Sequence, residues 1–216
     1  MARNHRPEKP ARPIPLFGRD QELRSVDAAM DAAASGVGGL VALTGEPGIG
    51  KTRLAEEAVA RALRRGWRVA WGSGWPDGGS PPLWPWQEIL EKLGCSDAAR
   101  LLDGQTPTRT FDPERFARFR AVTAAIGHAA GEQPVLVVLD DAHAADPGAL
   151  LLARFAIRSL RAAPLLLLVT FRDQPASQDE VGDAIADLVS EGTRLEVSGL
   201  DADALAGVLA WAGKGT

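Results

Sequence analysis

The amino-acid sequence predicts an α/β fold of three layers, in which a mostly parallel five-stranded sheet lies between two layers of helices. Three observations support this prediction: several short segments are apolar throughout, helical segments alternate with them, and a glycine-rich phosphate-binding pattern follows the first apolar segment. Strands that are apolar on both faces are typical of parallel sheets covered by helices on both sides. We therefore expect one α/β domain over residues 14–200.

The composition is that of a globular protein and argues against several other classes. The 216 residues are 45% apolar and 24% charged, which is sufficient for a large core. The net charge of −4 gives no overall basic footprint for nucleic acid or anionic membranes, so we expect contact with neither. No apolar run approaches the roughly 18 residues of a membrane span. Residues 1–13 are basic and proline-rich, which predicts a disordered tail.

The single cysteine, Cys95, excludes an internal disulfide and a cysteine-based metal cluster. It follows the end of a predicted helix, and we expect an inert, partly buried thiol there. A reducing, cytoplasmic location fits this cysteine usage.

The phosphate-binding pattern is GEPGIGKT at residues 45–52, which fits G-x-x-x-x-G-K-[ST]. An apolar strand is predicted over 40–44 and a helix over 50–65, and this order of strand, loop and helix is the context that a P-loop requires. Lys51 would supply a positive charge for the β- and γ-phosphates, and the Thr52 hydroxyl would be a ligand for Mg²⁺. The alternative is a glycine-rich turn that ends in Lys-Thr, which the flanking elements disfavour.

The other elements follow from apolar periodicity and from cap and turn residues. The predicted helices cover 20–34, 86–93, 112–130, 147–160, 178–190 and a last segment from residue 201. The other predicted strands cover 67–72, 135–139, 165–170 and 195–197, whereas 96–111 is polar and ambiguous. Within two of these helices, Leu63 and Phe116 are placed on or near the packing face.

Two adjacent acids, Asp140 and Asp141, end the apolar segment 135–139. Ligands of open α/β sheets bind outside the carboxyl ends of the strands, where both acids would lie. Asp140 is the candidate Mg²⁺ partner of the P-loop, and Asp141 would orient or deprotonate the attacking water. The alternative is that both acids only cap the strand or the following turn.

Arg172 ends the neighbouring apolar strand, where a cation can reach a γ-phosphate. The alternative is an exposed arginine paired with Asp173 or Asp179. For His143 we favour a structural or water-facing role over nucleotide contact or a pH switch. For the tryptophans we favour core packing or a partner surface over stacking on nucleic-acid bases, and the set is Trp67, Trp71, Trp75, Trp84 and Trp86.

Several of these segments together resemble the nucleotide-binding domain of STAND-class signalling ATPases, the AAA-type domain of large bacterial LuxR-type transcriptional regulators. They are FGRDQE at 17–22, GEPGIGKTRLA at 45–55, LDDAH at 139–143, VTFRD at 169–173 and LEVSGL at 195–200. Two positions depart from the family pattern: Asp20 replaces a glutamate, and Ala144 stands where relatives often have tryptophan.

The resemblance implies a domain that binds ATP or ADP with Mg²⁺ and uses slow, regulated hydrolysis as a switch, with self-association in the ATP state. It implies that the strand carrying Arg172 lies between the P-loop strand and the strand ending in Asp140. It also implies that residues 201–216 begin a helical lid, whose remainder and further regulator domains would belong to a larger protein. The implied nucleotide-binding residues are Phe17, Gly18, Arg19, Gly45, Gly48, Ile49, Gly50, Lys51, Thr52 and Arg53, the catalytic residues are Lys51, Asp141 and Arg172, and the metal-linked residues are Thr52 and Asp140.

Three other functions stay open at this point. A nucleotide-binding module without useful hydrolysis would retain ADP and release little phosphate. A DNA-associated ATPase of the origin-recognition or loader type shares the motifs but needs a basic surface or an added DNA-binding domain. A P-loop kinase for small molecules is disfavoured by the acid pair and by Arg172.

Overall fold

The computed structural model describes residues 15–75, 81–102, 113–172 and 180–212. Several predictions lie wholly or partly outside these residues. They are the tail over 1–13, most of the ambiguous segment 96–111, the helix start at Asp112, the pairing of Arg172 with Asp173 or Asp179, the first two residues of the helix over 178–190, and the end of the lid segment over 213–216.

The sheet has five strands, and every strand pair is parallel. The strands are β1 (Gly39–Gly45), β2 (Arg68–Ser73), β3 (Val135–Asp140), β4 (Leu165–Arg172) and β5 (Thr193–Glu196). Their order is β2-β3-β4-β1-β5, so β4 lies between the P-loop strand and the strand that ends in Asp140. The three-layer P-loop fold and the implied strand order are therefore confirmed.

Helices cover both faces of the sheet. Those in the described residues are α1 (Asp20–Ala34), α2 (Lys51–Arg64), α3 (Trp84–Lys92), α4 (Ser96–Arg100), α5 (Pro113–Glu132), α6 (Pro147–Ser159), α7 (Glu180–Val189) and α8 (Ala202–Ala212). The sequence did not predict α4, which occupies part of the polar segment 96–111. A short 3₁₀ turn, Ala142–Ala144, directly follows the acid pair.

The apolar strands divide their side chains between two cores because successive residues of a strand point to opposite faces. Leu136 and Val138 of β3 pack with α1 and α2 on one face, whereas Val137 and Leu139 pack with α3, α5 and α6 on the other. Both sets are at most 1% exposed. This division explains why the central strands lack the alternation of a half-exposed sheet.

One predicted packing residue, Leu63, is exposed, and that prediction is wrong. Leu63 is 57% exposed, because α2 buries Leu54, Ala58 and Ala62 at four-residue spacing and Leu63 lies about 100° further round the helix. Phe116 is 47% exposed near the start of α5, but its ring contacts Phe155 edge to face, as Phe119 also contacts Phe155, so it lies on the predicted stripe.

The tryptophans follow the favoured interpretation in part. Trp67 and Trp86 are core residues at 6% and 1% exposure, and the Trp86 indole donates a hydrogen bond to the Ala149 carbonyl at 2.8 Å. Trp75 is 52% exposed. Among the described helices, none combines the length and apolarity that crossing a membrane requires.

Candidate functional site

The P-loop joins the end of β1 to the start of α2, as predicted. Gly50 precedes α2 with φ of +104°, a left-handed conformation that glycine adopts without strain. A Cβ on Gly45 would lie 2.4 Å from the Val197 carbonyl oxygen, so only glycine fits there. The loop therefore brings its backbone close to the first turn of α2, where peptide N–H groups and the helix dipole favour anions.

Lys51 is almost buried, at 6% exposure, despite its charge. Its ammonium group donates hydrogen bonds to the Gly45 and Glu46 carbonyl oxygens at 2.9 and 2.8 Å. A buried ammonium needs such partners because an unpaired charge in the interior is costly. The lysine is thus held against the loop that a phosphate would enter.

Arg19 also reaches the P-loop, from the segment that precedes α1. Its guanidinium is 5% exposed and donates to the Ile49 carbonyl at 3.2 Å and to Glu22 at 3.1 Å. The sequence placed Arg19 near a nucleotide, and its observed partners are the P-loop backbone and a carboxylate. The neighbouring Gly18 lies against α8, where an added Cβ would come within 2.5 Å of the Ala204 Cβ.

Asp140 is the point at which β3 meets the P-loop. The Thr52 hydroxyl lies 3.2 and 3.3 Å from its two carboxylate oxygens, although the residues are 88 positions apart in sequence. The Thr170 hydroxyl, from β4, donates to Asp140 Oδ1 at 2.6 Å. Three separate segments therefore converge on one carboxylate that is 7% exposed.

Burial raises the pKa of Asp140 above its usual value, and the negative charge of Asp141 raises it further. Hydrogen bonds from Thr170, Thr52 and the Asp141 backbone act in the opposite direction. A cation beside this carboxylate would restore its charged form, because an opposite charge stabilises the ionised state.

The donors at this point fit Mg²⁺. A hydroxyl and a carboxylate are hard oxygen ligands, and Mg²⁺ is usually held by one or two carboxylates together with water and phosphate oxygens. Within the described ranges there is no cluster of three or more His, Cys, Asp or Glu residues able to form an all-protein metal site. Thr52 and Asp140 are therefore the residues that would hold the ion.

Asp141 has φ of +50° and ψ of +47°, in the left-handed region, and its side chain is 40% exposed. His143 lies beside it, with Nδ1 3.8 Å from the nearer Asp141 oxygen and without a hydrogen-bond partner. Burial lowers the pKa of His143; Asp141 opposes this, whereas Arg172 and Lys51 lower it further. The pKa of His143 thus depends on the charges of Lys51, Asp141 and Arg172, which come from three separate segments of the sequence.

Arg172 is exposed at the end of β4, and in the β1–β4 register it pairs with Gly45, the first residue of the P-loop. Arg53 is partly exposed in the first turn of α2, 3.5 Å from Glu56. The two arginines therefore sit at the rim of the site rather than inside it.

Thr170 is the main residue that the sequence analysis missed. It is fully buried, and besides its bond to Asp140 its oxygen accepts the backbone N–H of Asp141 at 2.9 Å. The available signal was a hydroxyl in an otherwise apolar strand next to the acid-bearing strand. Threonine is common in strands for packing reasons, so this signal is weak.

A polar cavity of about 580 Å³ lies between the start of α1, β5 and the segment 198–201. Its walls include Gly18, Arg19, Glu22, Arg194 and Asp201. Arg194, which the sequence did not single out, also contacts the buried Thr44 hydroxyl at 3.3 Å. The cavity is large enough for part of an organic ligand.

Among curated proteins, the chain is similar to an uncharacterized protein of Rhizobium meliloti (strain 1021). The two are 26% identical over 221 residues, which is 88% of this chain and 21% of that protein. The chain thus spans about a fifth of the length of the curated relative it matches.

Solved structures share the fold. A DNA replication initiation factor has a TM-score of 0.56 at 17% identity, over 91% of this chain and 51% of that one. AMPPCP-bound DnaA from Aquifex aeolicus has a TM-score of 0.52 at 17% identity, over 92% of this chain and 52% of that one. A third structure is a Signal Transduction ATPase with Numerous Domains (STAND) protein with a tetratricopeptide repeat sensor, from Pyrococcus horikoshii. Its TM-score is 0.53 at 18% identity, over 94% of this chain and 26% of that one.

A family model described as an AAA ATPase domain matches residues 15–169, which is more than half of the chain and includes the P-loop and the acid pair. Together with the strand order and the meeting of Thr52 with Asp140, this match leads to one conclusion: the chain belongs to the AAA ATPase domain family.

Proposed function

We propose that this domain binds ATP and ADP with Mg²⁺, hydrolyses ATP slowly to ADP and phosphate, and acts as a nucleotide switch in a larger signalling or transcriptional regulator. The observation that carries the proposal is the contact between Thr52 and Asp140, next to the buried Lys51. These three groups are what a nucleoside triphosphate with Mg²⁺ needs from the protein: a hydroxyl, a carboxylate and a cation at the start of a helix.

Each residue of the loop has a separate task in this proposal. The peptide N–H groups of 48–52 bind phosphate oxygens, and Lys51 exchanges its carbonyl partners for the β- and γ-phosphates. Thr52 and Asp140 hold Mg²⁺, which when bound neutralises charge on the phosphates.

Hydrolysis requires that water attack the γ-phosphorus while the bond to the β–γ bridging oxygen breaks. Asp141 is the group that orients this water and accepts its proton, because it is half-exposed beside Asp140. Arg172 lies level with Gly45 and is the cation that meets the charge on the γ-phosphate.

The base and ribose need a separate surface, for which the polar cavity beside Arg19 is the best candidate. Gly18 and Arg19 line it, and the Arg19 guanidinium also donates a hydrogen bond to the Ile49 carbonyl of the P-loop. In this proposal Gly18 and Arg19 link the phosphate site to the base site, and Phe17 directly precedes them in the chain.

The regulator role rests on the likeness to the STAND protein and on α8. Leu205 and Leu209 of α8 are 51% and 66% exposed on a helix whose sequence is mainly apolar. We propose that residues 14–200 form the nucleotide domain and that 201–216 begin a lid. We also propose that the domain self-associates in the ATP state and that the protein is cytoplasmic.

A second candidate is a nucleotide-binding module without useful hydrolysis. It is favoured by one observation: the His143 Nδ1 lies 3.8 Å from Asp141 and makes no hydrogen bond to it. His143 therefore does not fix the direction in which the Asp141 carboxylate points toward a water. A DNA-associated role has fold similarity alone in its favour, and the net charge is −4.

The proposal is tested by calorimetry with ATP and ADP in the presence of Mg²⁺, with phosphate release followed on the same samples. The variants are Lys51→Ala and, as a matched control, Lys92→Ala, which removes an exposed lysine from the last turn of α3. Loss of charged hydrogen bonds should weaken nucleotide binding by Lys51→Ala about 10- to 100-fold.

Unchanged binding by Lys92→Ala, with loss in Lys51→Ala, would support the P-loop assignment. Binding with no phosphate release would favour the second candidate. Wild-type protein that binds neither nucleotide would overturn the proposed function of this chain.

A further inference from the structure

Thr170 connects the two acids through a single hydroxyl group. Its oxygen is 2.6 Å from Asp140 Oδ1 and 2.9 Å from the backbone nitrogen of Asp141. A hydroxyl carries one proton, and the Asp141 amide can only donate. Thr170 must therefore donate to Asp140 and accept from Asp141, so its hydroxyl orientation is determined by both neighbours.

Both ends of this connection lie where small changes matter. The Asp140 carboxylate also faces Thr52, so the bond from Thr170 limits how that carboxylate turns toward the P-loop. Asp141 has a left-handed backbone conformation, which residues other than glycine adopt at some cost in free energy. The hydrogen bond that its backbone N–H donates to the Thr170 hydroxyl oxygen helps to hold that conformation. The direction of the Asp141 side chain follows from that backbone conformation.

The position of Thr170 is fixed by β4, the central strand of the sheet. Thr170 lies two residues before Arg172 and pairs with Leu43 in the register with β1. Side chains two residues apart on a strand lie on the same face. Thr170 is thus anchored in the centre of the sheet, where its position depends little on the exposed loops around the site.

We infer that Thr170 is a positioning residue: it holds Asp140 in the orientation that serves Mg²⁺ and Asp141 in the orientation that serves water. This inference rests on the proposed function. Thr170 has 0% exposure and touches neither nucleotide nor water in this role, so it acts only through the two acids. Groups that orient a metal-linked carboxylate typically contribute about 10- to 100-fold to metal affinity or activity.

The test compares Thr170→Val, which keeps the branched shape and loses the hydroxyl, with Thr170→Ser, which keeps the hydroxyl. Thr123→Val is the matched control, because Thr123 is also buried but bonds only to carbonyls within α5. The first readout is the ratio of ADP dissociation constants in EDTA and in Mg²⁺. The second is kcat and KM for ATP, and the third is hydrogen exchange at the Asp141 amide without nucleotide.

In Thr170→Val we expect unchanged ADP binding in EDTA, a loss of about 10-fold or more in the effect of Mg²⁺, a lower kcat with little change in KM, and faster exchange at the Asp141 amide. Thr170→Ser should behave like wild type, and so should Thr123→Val. If Thr170→Val does not fold, Thr170→Ala against Thr170→Ser provides the same comparison of a site with and without the hydroxyl.

A wild-type Mg²⁺ effect in Thr170→Val, or an equal loss in Thr123→Val, would overturn the inference while leaving the proposed function intact. Wild-type protein that binds no nucleotide would instead remove the proposed function, and amide exchange would still decide whether Thr170 holds the Asp141 backbone.

Discussion

The two ends of the parallel sheet hold their charged groups in opposite ways. The carboxyl end carries nearly all the buried polar side chains of the described residues: Arg19, Thr44, Lys51, Asp140 and Thr170, with only Thr123 elsewhere. At the amino end, Glu191 follows α7 and lies among Arg154, Arg158 and Arg161, two of which are more than 60% exposed.

The pKa values of two carboxylates, one at each end of the sheet, shift in opposite directions. Burial raises the pKa of Asp140, whereas hydrogen bonds from Arg154 are the main reason that the pKa of Glu191 is lowered. In the absence of a cation, the charge of Asp140 therefore lowers the free energy of unfolding, whereas the charge of Glu191 raises it modestly. Perturbed pKa values of buried groups cluster at functional sites, so this difference supports the site proposed at the carboxyl end.

The largest effect should come from Asp141→Asn. We expect kcat for ATP to fall about 100- to 10,000-fold, because the amide cannot accept a proton from water, whereas nucleotide affinity should change little. Asp187→Asn is the control, since Asp187 is exposed and pairs with Arg154 at the other end of the sheet. Steady-state phosphate release measures both. Full activity in Asp141→Asn would remove this residue from the proposed reaction.

Asp140→Asn should stabilise the nucleotide-free protein at neutral pH while abolishing the effect of Mg²⁺ on ADP binding. A folded-state pKa above the unfolded value favours the protonated carboxyl, so stability is lost as the pH rises through the folded pKa. The asparagine removes that loss. Its gain in Tm should therefore vanish below the unfolded pKa of about 3.8.

Thermal unfolding from pH 3 to pH 8 in EDTA would check this, and a lower Tm in Asp140→Asn at neutral pH would contradict it. The amide keeps an oxygen for Thr170 and can donate to Thr52, so the contacts of the site do not oppose the gain.

Glu191→Gln should have the smallest effect and the opposite sign. A folded-state pKa below the unfolded value gives stability that is present above the unfolded pKa of about 4.5 and is lost as the pH falls through the folded pKa. Because two of the three arginines are largely exposed and solvent screens such pairs, we expect a loss of about 1 kcal/mol or less at pH 7. Urea unfolding at two pH values measures it, and an equal loss at pH 3 would show that packing rather than charge is responsible.

Much of the fold could be predicted because its signals are local. The P-loop lies within eight consecutive residues, and α1 was predicted with its observed bounds. Residues 135–139 of β3 and 165–169 of β4 are apolar throughout because both faces of these strands are buried. The exposure of Leu63 could not be predicted, since which side of a helix is covered depends on the neighbouring element.

The sequence by itself determined the motif residues: Lys51 and Thr52 at the start of a helix, and Asp140 at the end of a buried strand, since loop, strand and helix signals are short-range. Only the tertiary structure decided that Thr52 meets Asp140, that Arg19 bonds to the P-loop backbone, and that Thr170 joins the two acids. Those contacts depend on side-chain direction and on the approach of segments that are distant in sequence, and no local pattern encodes either one.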